Sequence, residues 1–301
     1  MLRWRLMAAA AMLTPLIALL VVDFCWNGGA PGVWLVMPGW AVASMVTAEV
    51  LTLVRATGAR PVGWAAYVGV SLLFLSACVP MGTRLGASTG VTLLEGQALV
   101  LAASVLATAV AFAAEMRRFE GATSAITDLA SVVFTTMYVG LGFSFAALLR
   151  QMHGNAWGMA ALLSVVWIIK WSDTGAYFVG KAWGRRKLSP QLSPGKTVEG
   201  AAGGLVSAAL ASWVFFYFLV PWLTGDKAFA PSWPGVAAYG VSLAAMGLLG
   251  DLAESLLKRA ARQKDSSSWL PGLGGLLDVM DSLLLAMPVA YWCWELEMLG
   301  K

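Results

Sequence analysis

The residues able to do chemistry sit in a few short stretches of an otherwise apolar sequence. The densest begins Gly250-Asp251-Leu252-Ala253-Glu254-Ser255-Leu256-Leu257-Lys258-Arg259. On a helix, Asp251 is followed at i+3, i+4 and i+7 by Glu254, Ser255 and Lys258, so four polar side chains project from one face. Lys264-Asp265 comes next, then Pro271-Gly272-Leu273-Gly274-Gly275, whose glycines permit close backbone approach to a ligand. Asp278 and Asp281 follow, three apart and facing the same way. One carboxylate in a helix's first turn would only answer the macrodipole. Two of them, with Asp251 and the cations Lys258, Arg259 and Lys264 beside them in sequence, indicate a site. Three aspartates without Cys or His are hard oxygen donors suited to Mg2+, which commonly keeps waters and takes substrate phosphates. Cations around such a site fit phosphoryl or nucleotidyl transfer. A carboxylate-lined ion path would look the same locally.

Two further clusters lie upstream. Lys170 and Asp173 share a helix face inside an apolar segment, where charges are costly and either pair or line a polar cavity. The second cluster runs from Gly184 through Arg185, Arg186 and Lys187 to Ser193-Pro194-Gly195-Lys196-Thr197-Val198-Glu199-Gly200. Its prolines hold parts of it extended, and Ser193 to Thr197 leads into a helix with hydroxyls and exposed N–H groups, an anion-binding arrangement. The GxxxxGK[ST] spacing of a P-loop is absent. Arg185 to Lys187 read as a juxtamembrane basic loop on anionic lipid heads, and Lys196 and Thr197 as phosphate contacts.

These clusters must be positioned by membrane-spanning helices. Of 301 residues, 59% are apolar and 12% charged, against roughly 45–50% and 25% in soluble domains. Mean hydropathy is +0.75. So few charges cannot cover a soluble surface, which excludes a cytosolic enzyme, a secreted disulfide scaffold and a disordered chain. The net charge of +4 gives no reason to expect a nucleic-acid partner. Cys25, Cys78 and Cys293 lie in separate apolar stretches, without a CxxC pair for zinc. The 15 tryptophans suit membrane interfaces.

A crossing helix takes about 20 apolar residues. That length predicts an all-α, polytopic fold with spans near 6–26, 33–54, 62–80, 97–114, 129–149, 157–180, 200–220, 236–257 and 275–294, about nine in all. The first span resembles a signal peptide behind Arg3 and Arg5, but no small-x-small cleavage site follows, so it reads as a retained helix. The N-terminus and the connections after even-numbered spans carry Arg3, Arg5, Arg55, Arg60, Arg117, Arg118, Lys181, Arg185, Arg186, Lys187, Lys196, Lys258, Arg259, Arg262 and Lys264. The other side carries Arg84, Arg150, Lys227 and Lys301. The positive-inside rule then predicts a cytoplasmic N-terminus and a polar site near the cytoplasmic face of a multi-pass protein, in the plasma (inner) membrane if the source is bacterial.

The region 1–151 reads as a transmembrane scaffold and 152–301 as the catalytic region of one continuous membrane domain. In the first, Glu49 reads as a carboxylate near a span end, reaching water or Arg55. His153, the single histidine, reads as a solvated residue on the opposite side.

The run Ser255-x2-Lys258-Arg259-x4-Lys264-Asp265-x4-Leu270-Pro271-Gly272-x-Gly274-Gly275-x2-Asp278-x2-Asp281 resembles the signature of CDP-diacylglycerol synthases, or phosphatidate cytidylyltransferases. The blocks Ser172-Asp173-Thr174-Gly175-Ala176-Tyr177, Ser193-Pro194-x-Lys196-Thr197-x-Glu199-Gly200 and Gly250-Asp251-x2-Glu254-Ser255 resemble other blocks of that family in the same order. The likeness covers about 170–282. It implies transfer of CMP from CTP to phosphatidic acid, giving CDP-diacylglycerol and pyrophosphate in phospholipid biosynthesis, with Mg2+ as the divalent metal. It places the metal at Asp251, Asp278 and Asp281. Catalytic roles on the phosphates fall to Lys196, Lys258, Arg259, Lys264 and Asp265, and substrate contacts to Asp173, Ser193, Thr197, Glu199, Glu254, Ser255, Gly274 and Gly275. Partners implied are CTP, phosphatidic acid, the lipid bilayer and a second copy in a homodimer. Two positions depart from the pattern: Leu273 stands where the family has His, and Val279 where it has Arg. The alternatives are a CTP-dependent membrane lipid kinase, which would release CDP, an ion or solute transporter with a carboxylate path, and an inactive family member.

Overall fold

The computed structural model describes residues 2–84, 93–119, 124–226, 228–267, 269 and 274–300. Helices dominate: α1 (Leu2–Cys25), α2 (Val36–Ala56), α3 (Gly63–Arg84), α4 (Leu93–Arg117), α5 (Ala125–Gln151), α6 (Asn155–Trp183), α7 (Val198–Val214), α8 (Val220–Thr224), α9 (Trp233–Ala260) and α10 (Leu277–Glu295). A π-turn, Phe215–Leu219, joins α7 to α8. Most of the predicted apolar segments fall on a single helix, and the one near 200–220 runs over α7, the π-turn and the start of α8. Among the described residues, six helices are long and apolar enough to cross a membrane, on α2, α3, α4, α5, α7–α8 and α9. Helices α6 and α10 carry Lys170, Asp173 and Lys181, and Asp278, Asp281 and Glu295, which lower their hydropathy. One expectation needs amending: the chain is not purely helical. Strands β1 (Lys187–Ser189) and β2 (Ser193–Thr197) form an antiparallel hairpin pairing Lys187 with Thr197 and Ser189 with Ser193. Pro190 and Pro194 favour extended backbone there, as their presence predicts, and the pairing adds the hairpin.

Helix ends follow the macrodipole. Arg55, Arg117, Arg150, Lys181 and the pair Lys258–Arg259 sit in the last turns of α2, α4, α5, α6 and α9, where cations meet unpaired carbonyls. Hydroxyls within the apolar helices bond back to their own backbone, as Thr47 does to the Ala43 carbonyl and Ser144 to that of Gly140. That satisfies them without water.

The chain forms two compact units. One comprises Met1–Gln151 with Leu257–Met280, the other Met152–Leu256 with Asp281–Lys301. In the first, α3, α4 and α5 pack through small residues around Leu51, Ala65, Ala66, Ala111 and Ala114. A fully buried ion pair, Arg150 to Asp23 at 2.7 Å, fixes the end of α5. Asp23 also accepts the amides of Gly32 and Trp34, at 3.0 and 3.2 Å, so it anchors the turn before α2 as well.

In the second unit α6 and α7 lie backbone to backbone. A Cβ added at Gly203 would stand 2.5 Å from Val179, and one at Gly175 would collide with Ser207. Such close approach between apolar helices needs small residues at the contact. The core beside it is aromatic. The Tyr239 hydroxyl exchanges a hydrogen bond with Ser164 at 2.7 Å and accepts the Trp294 indole N–H at 3.3 Å.

Candidate active site

In the second unit α6, the hairpin, α7 and α9 enclose a cavity of about 460 Å³. Its wall is mostly small and aliphatic: Ala176, Gly180, Gly200, Gly204, Ala244 and Gly247 leave room because they have little or no side chain. Its polar members are Ser172, Asp173, Tyr177, Lys181, Ser193, Lys196, Thr197 and Asp251. Lys196 projects from β2 and pairs with Asp251 of α9 at 2.5 Å. Thr197 is the N-cap of α7, its hydroxyl accepting the Gly200 amide at 3.0 Å. The capped helix start therefore stands directly after the lysine. Lys170 and Asp173 form an ion pair at 3.3 Å with both side chains half exposed. Each can therefore swing toward another charge at little desolvation cost.

Asp251 also belongs to a carboxylate group. Oxygens of Asp251, Glu254 and Asp281 lie within 4.8 Å of one another, and Glu254 and Asp281 are buried. Gly250 makes this approach possible, since a Cβ there would collide with the Asp281 backbone carbonyl. Three oxygen ligands with no sulfur or imidazole fit a hard cation such as Mg2+. Asp281 also accepts the Ser282 hydroxyl at 3.1 Å.

The first unit holds the rest of the signature. Lys258, near the end of α9, pairs with Asp278 at 2.6 Å. The other Asp278 oxygen accepts the Ser266 hydroxyl at 2.6 Å, the Gly275 amide at 2.7 Å and the Ser266 amide at 3.0 Å. Gly274 sits in the left-handed region at φ +86°, and a Cβ there would lie 2.7 Å from Asp278. Both glycines are thus required by backbone conformation or space rather than by ligand contact alone.

Not every expected residue is gathered in. The sequence grouped Asp251, Asp278 and Asp281 as metal ligands. The carboxylates that converge are Asp251, Glu254 and Asp281, while both Asp278 oxygens are engaged by Lys258, Ser266 and Gly275. Glu254, expected against substrate, is one helical turn from Asp251, which is why it joins the group. Glu199, also expected against substrate, accepts the amides of Arg185 and Arg186 at 3.0 and 3.1 Å and so fastens the turn before β1. Ser255 is buried on α9, and Arg259, Lys264 and Asp265 are exposed. Val279 is half-buried on α10, and Leu273 lies outside the described residues. His153 is exposed, as expected.

Glu49 is the residue whose role the sequence did not disclose. It neither reaches water nor pairs with Arg55: it is buried on α2, accepts the Ser267 hydroxyl and the amides of Leu276 and Leu277, and lies against Ser266. The only sequence signal was a carboxylate in an apolar helix, which is costly unless partnered.

The sequence profile of the cytidylyltransferase family matches residues 5–296. The chain belongs to this family. Among individual relatives, the phosphatidate cytidylyltransferase of Haemophilus influenzae is 45% identical over 128 residues, 42% of this chain and 43% of that protein. The Bacillus subtilis phosphatidate cytidylyltransferase is 37% identical over 170 residues, 56% of this chain and 60% of its own length. That of Chlamydia pneumoniae is 35% identical over 167 residues, 53% and 52% respectively. The matches thus span about half the length of these relatives. For a member of the cytidylyltransferase family, a cavity with a lysine, a capped helix start and a hard-oxygen cluster at its edge has the chemistry to hold a polyanion.

Proposed function

We propose that this chain is a phosphatidate cytidylyltransferase, transferring CMP from CTP to phosphatidic acid. The reading is carried by one arrangement: Lys196 and the converging carboxylates beside a cavity whose wall is for the most part small and apolar. A lipid phosphate needs both properties, a cation for its head and an oily wall for its chains. In the reaction an oxygen of the lipid phosphate attacks the α-phosphorus of CTP. The new P–O bond forms as the bond to the β-phosphate breaks, and pyrophosphate leaves with the electron pair. A phosphate dianion needs little activation, so no general base is assigned.

Asp251, Glu254 and Asp281 would hold the divalent ion, which when bound supplies charge neutralisation to the phosphates. Lys196 gives up part of its pairing with Asp251 to meet an incoming phosphate, and Asp173 and Ser193 line its approach. Lys258, oriented by Asp278, and the exposed Arg259 and Lys264 add positive charge for the triphosphate. Stabilising charge with preorganised groups is the main catalytic term for such a reaction, and holding both substrates removes the cost of a bimolecular encounter. We also propose about nine membrane crossings, a cytoplasmic N-terminus and site, and a homodimer. Cysteine placed at exposed Lys187 and labelled by an impermeant maleimide tests the orientation, and mass photometry in detergent tests the dimer.

The deciding experiment incubates purified protein with CTP, Mg2+ and phosphatidic acid, and measures pyrophosphate and lipid-linked CMP. Both products are expected, and both are lost on chelation and in Asp251→Asn. Release of CDP would replace this reading with a lipid kinase. Folded, CTP-binding protein without turnover would mark an inactive relative, consistent with the departures at Leu273 and Val279. Absence of CTP binding would favour a transporter.

A further inference from the structure

We infer that Glu49 is a positioning residue for the reaction, a clasp on α2 that fixes Asp278 and Lys258 by holding Ser267 together with Leu276 and Leu277 at the start of α10. The inference rests on the proposed cytidylyltransferase reading only for its kinetic consequence. Glu49 is 6% exposed. One of its oxygens accepts the Ser267 hydroxyl at 2.6 Å and the Leu276 amide at 3.0 Å. The other accepts the Leu277 amide at 2.7 Å and faces the Ser266 hydroxyl at 3.1 Å. Ser266 has one hydroxyl proton, and the shorter contact, 2.6 Å, is to Asp278. The Ser266 oxygen therefore stands between the two carboxylates and couples their positions.

The chemistry explains why an acid is needed. Helix α10 starts at Leu277, and the residue before it, Leu276, has no side-chain acceptor. The first amides of a helix need a partner and favour negative charge. Glu49 supplies it from a sequence distance of 227 residues. With the helix start satisfied by Glu49, Asp278 in the first turn is left to orient Lys258. Space is equally committed: a Cβ on Gly275 would lie 2.6 and 2.7 Å from the Glu49 oxygens. Glutamine cannot replace this group, because its amide nitrogen would face a second donor. Aspartate keeps the charge but is one methylene shorter.

The test uses the full chain in detergent and the variants Glu49→Gln, Glu49→Asp and Ser267→Ala. Glu49→Gln should lower kcat about 10²-fold, the cost of a roughly 1 Å misplacement, with KM for CTP little changed. Ser267→Ala, which removes one donor to a charged group, should lower kcat roughly tenfold and remain well folded. The double variant Glu49→Gln/Ser267→Ala should lose no more than Glu49→Gln alone, because the two act as a unit. Trypsin supplies a readout independent of catalysis. Arg262 and Lys264 are exposed just before Ser266 and Ser267. Their cleavage in folded protein should accelerate roughly tenfold in Glu49→Gln as local opening becomes easier, and Glu49→Asp should restore part of the protection. Unchanged cleavage and a kcat within twofold of the parent in both Glu49→Gln and Ser267→Ala overturn the inference. So does a lowered Tm with unaltered kcat per folded molecule, which would make Glu49 merely structural. If the parent itself fails to turn over CTP, the functional reading falls, and the cleavage rates still decide whether the clasp exists.

Discussion

Replacing Gly275 by alanine tests the geometry around Asp278 with a single methyl group. A Cβ at this position would collide with the Ser266 hydroxyl oxygen. The overlap is too large to absorb by small shifts. Glu49 blocks movement to the other side. Ser266 must therefore rotate away and surrender its 2.6 Å hydrogen bond to Asp278, or Gly275 must move and take its 2.7 Å amide bond with it. Either way Asp278 loses one hydrogen bond to a charged group, about 1.5–3 kcal/mol. If that loss falls on the transition state, kcat drops roughly 10- to 150-fold. The assay is steady-state formation of pyrophosphate from CTP and phosphatidic acid, with Tm measured in the same detergent. Gly82→Ala is the control: nothing lies within 4 Å of a Cβ there, so kcat should be unchanged. Wild-type kcat in Gly275→Ala would refute the claim that the Ser266–Gly275–Asp278 geometry matters to the chemistry.

Three further outcomes follow from the packing and charges. Arg150→Met should cost ~3–5 kcal/mol by leaving Asp23 buried without its cation, seen as a large fall in Tm, and Arg150→Met with Asp23→Asn should recover part of it. Lys196→Met should cut kcat by about 10²-fold through loss of a preorganised cation, without a fall in Tm, since its partner Asp251 is itself one-third exposed. Gly203→Leu should prevent folding or lower Tm sharply, because the side chain has no room against Val179, whereas Gly195→Ala, open on all sides, should not.

The polar motifs were legible because they stand out against lipid-compatible sequence. Asp251, Lys196, Thr197 and Asp173 come to one cavity; Asp173 and Asp251 stood out by the cost of charge in an apolar segment, Lys196 and Thr197 by the helix start that they precede. The helices were legible for the same reason: apolar length alone predicts them, and Lys and Arg at their ends mark where they stop. What could not be read is which carboxylate meets which. Asp278 and Asp281 are equivalent by sequence spacing, yet Asp278 is taken by Lys258 and Ser266 while Asp281 joins Asp251 and Glu254. Helical periodicity fixes a face, and only the neighbouring element decides what that face meets. The hairpin at 187–197 escaped for a different reason. Prolines predict extended backbone, but pairing Lys187 with Thr197 depends on a turn in which no single residue is diagnostic.

Glu49 shows the deeper limit. A buried carboxylate needs partners wherever they come from, and a span with one acid and a nearby arginine invites the local pairing. The actual partners are the Ser267 hydroxyl and two amides at a helix start, with Ser266 in contact, all more than 200 residues away. None of them is charged, so charge-matching along the sequence could not have found them. The consequence reverses the division of labour suggested by composition. The region 1–151 resembles a passive scaffold because it has few polar residues. Yet one of those few caps the helix on which Asp278 stands, so a chain with the entire motif-bearing half intact would still lack the acceptor that orients it.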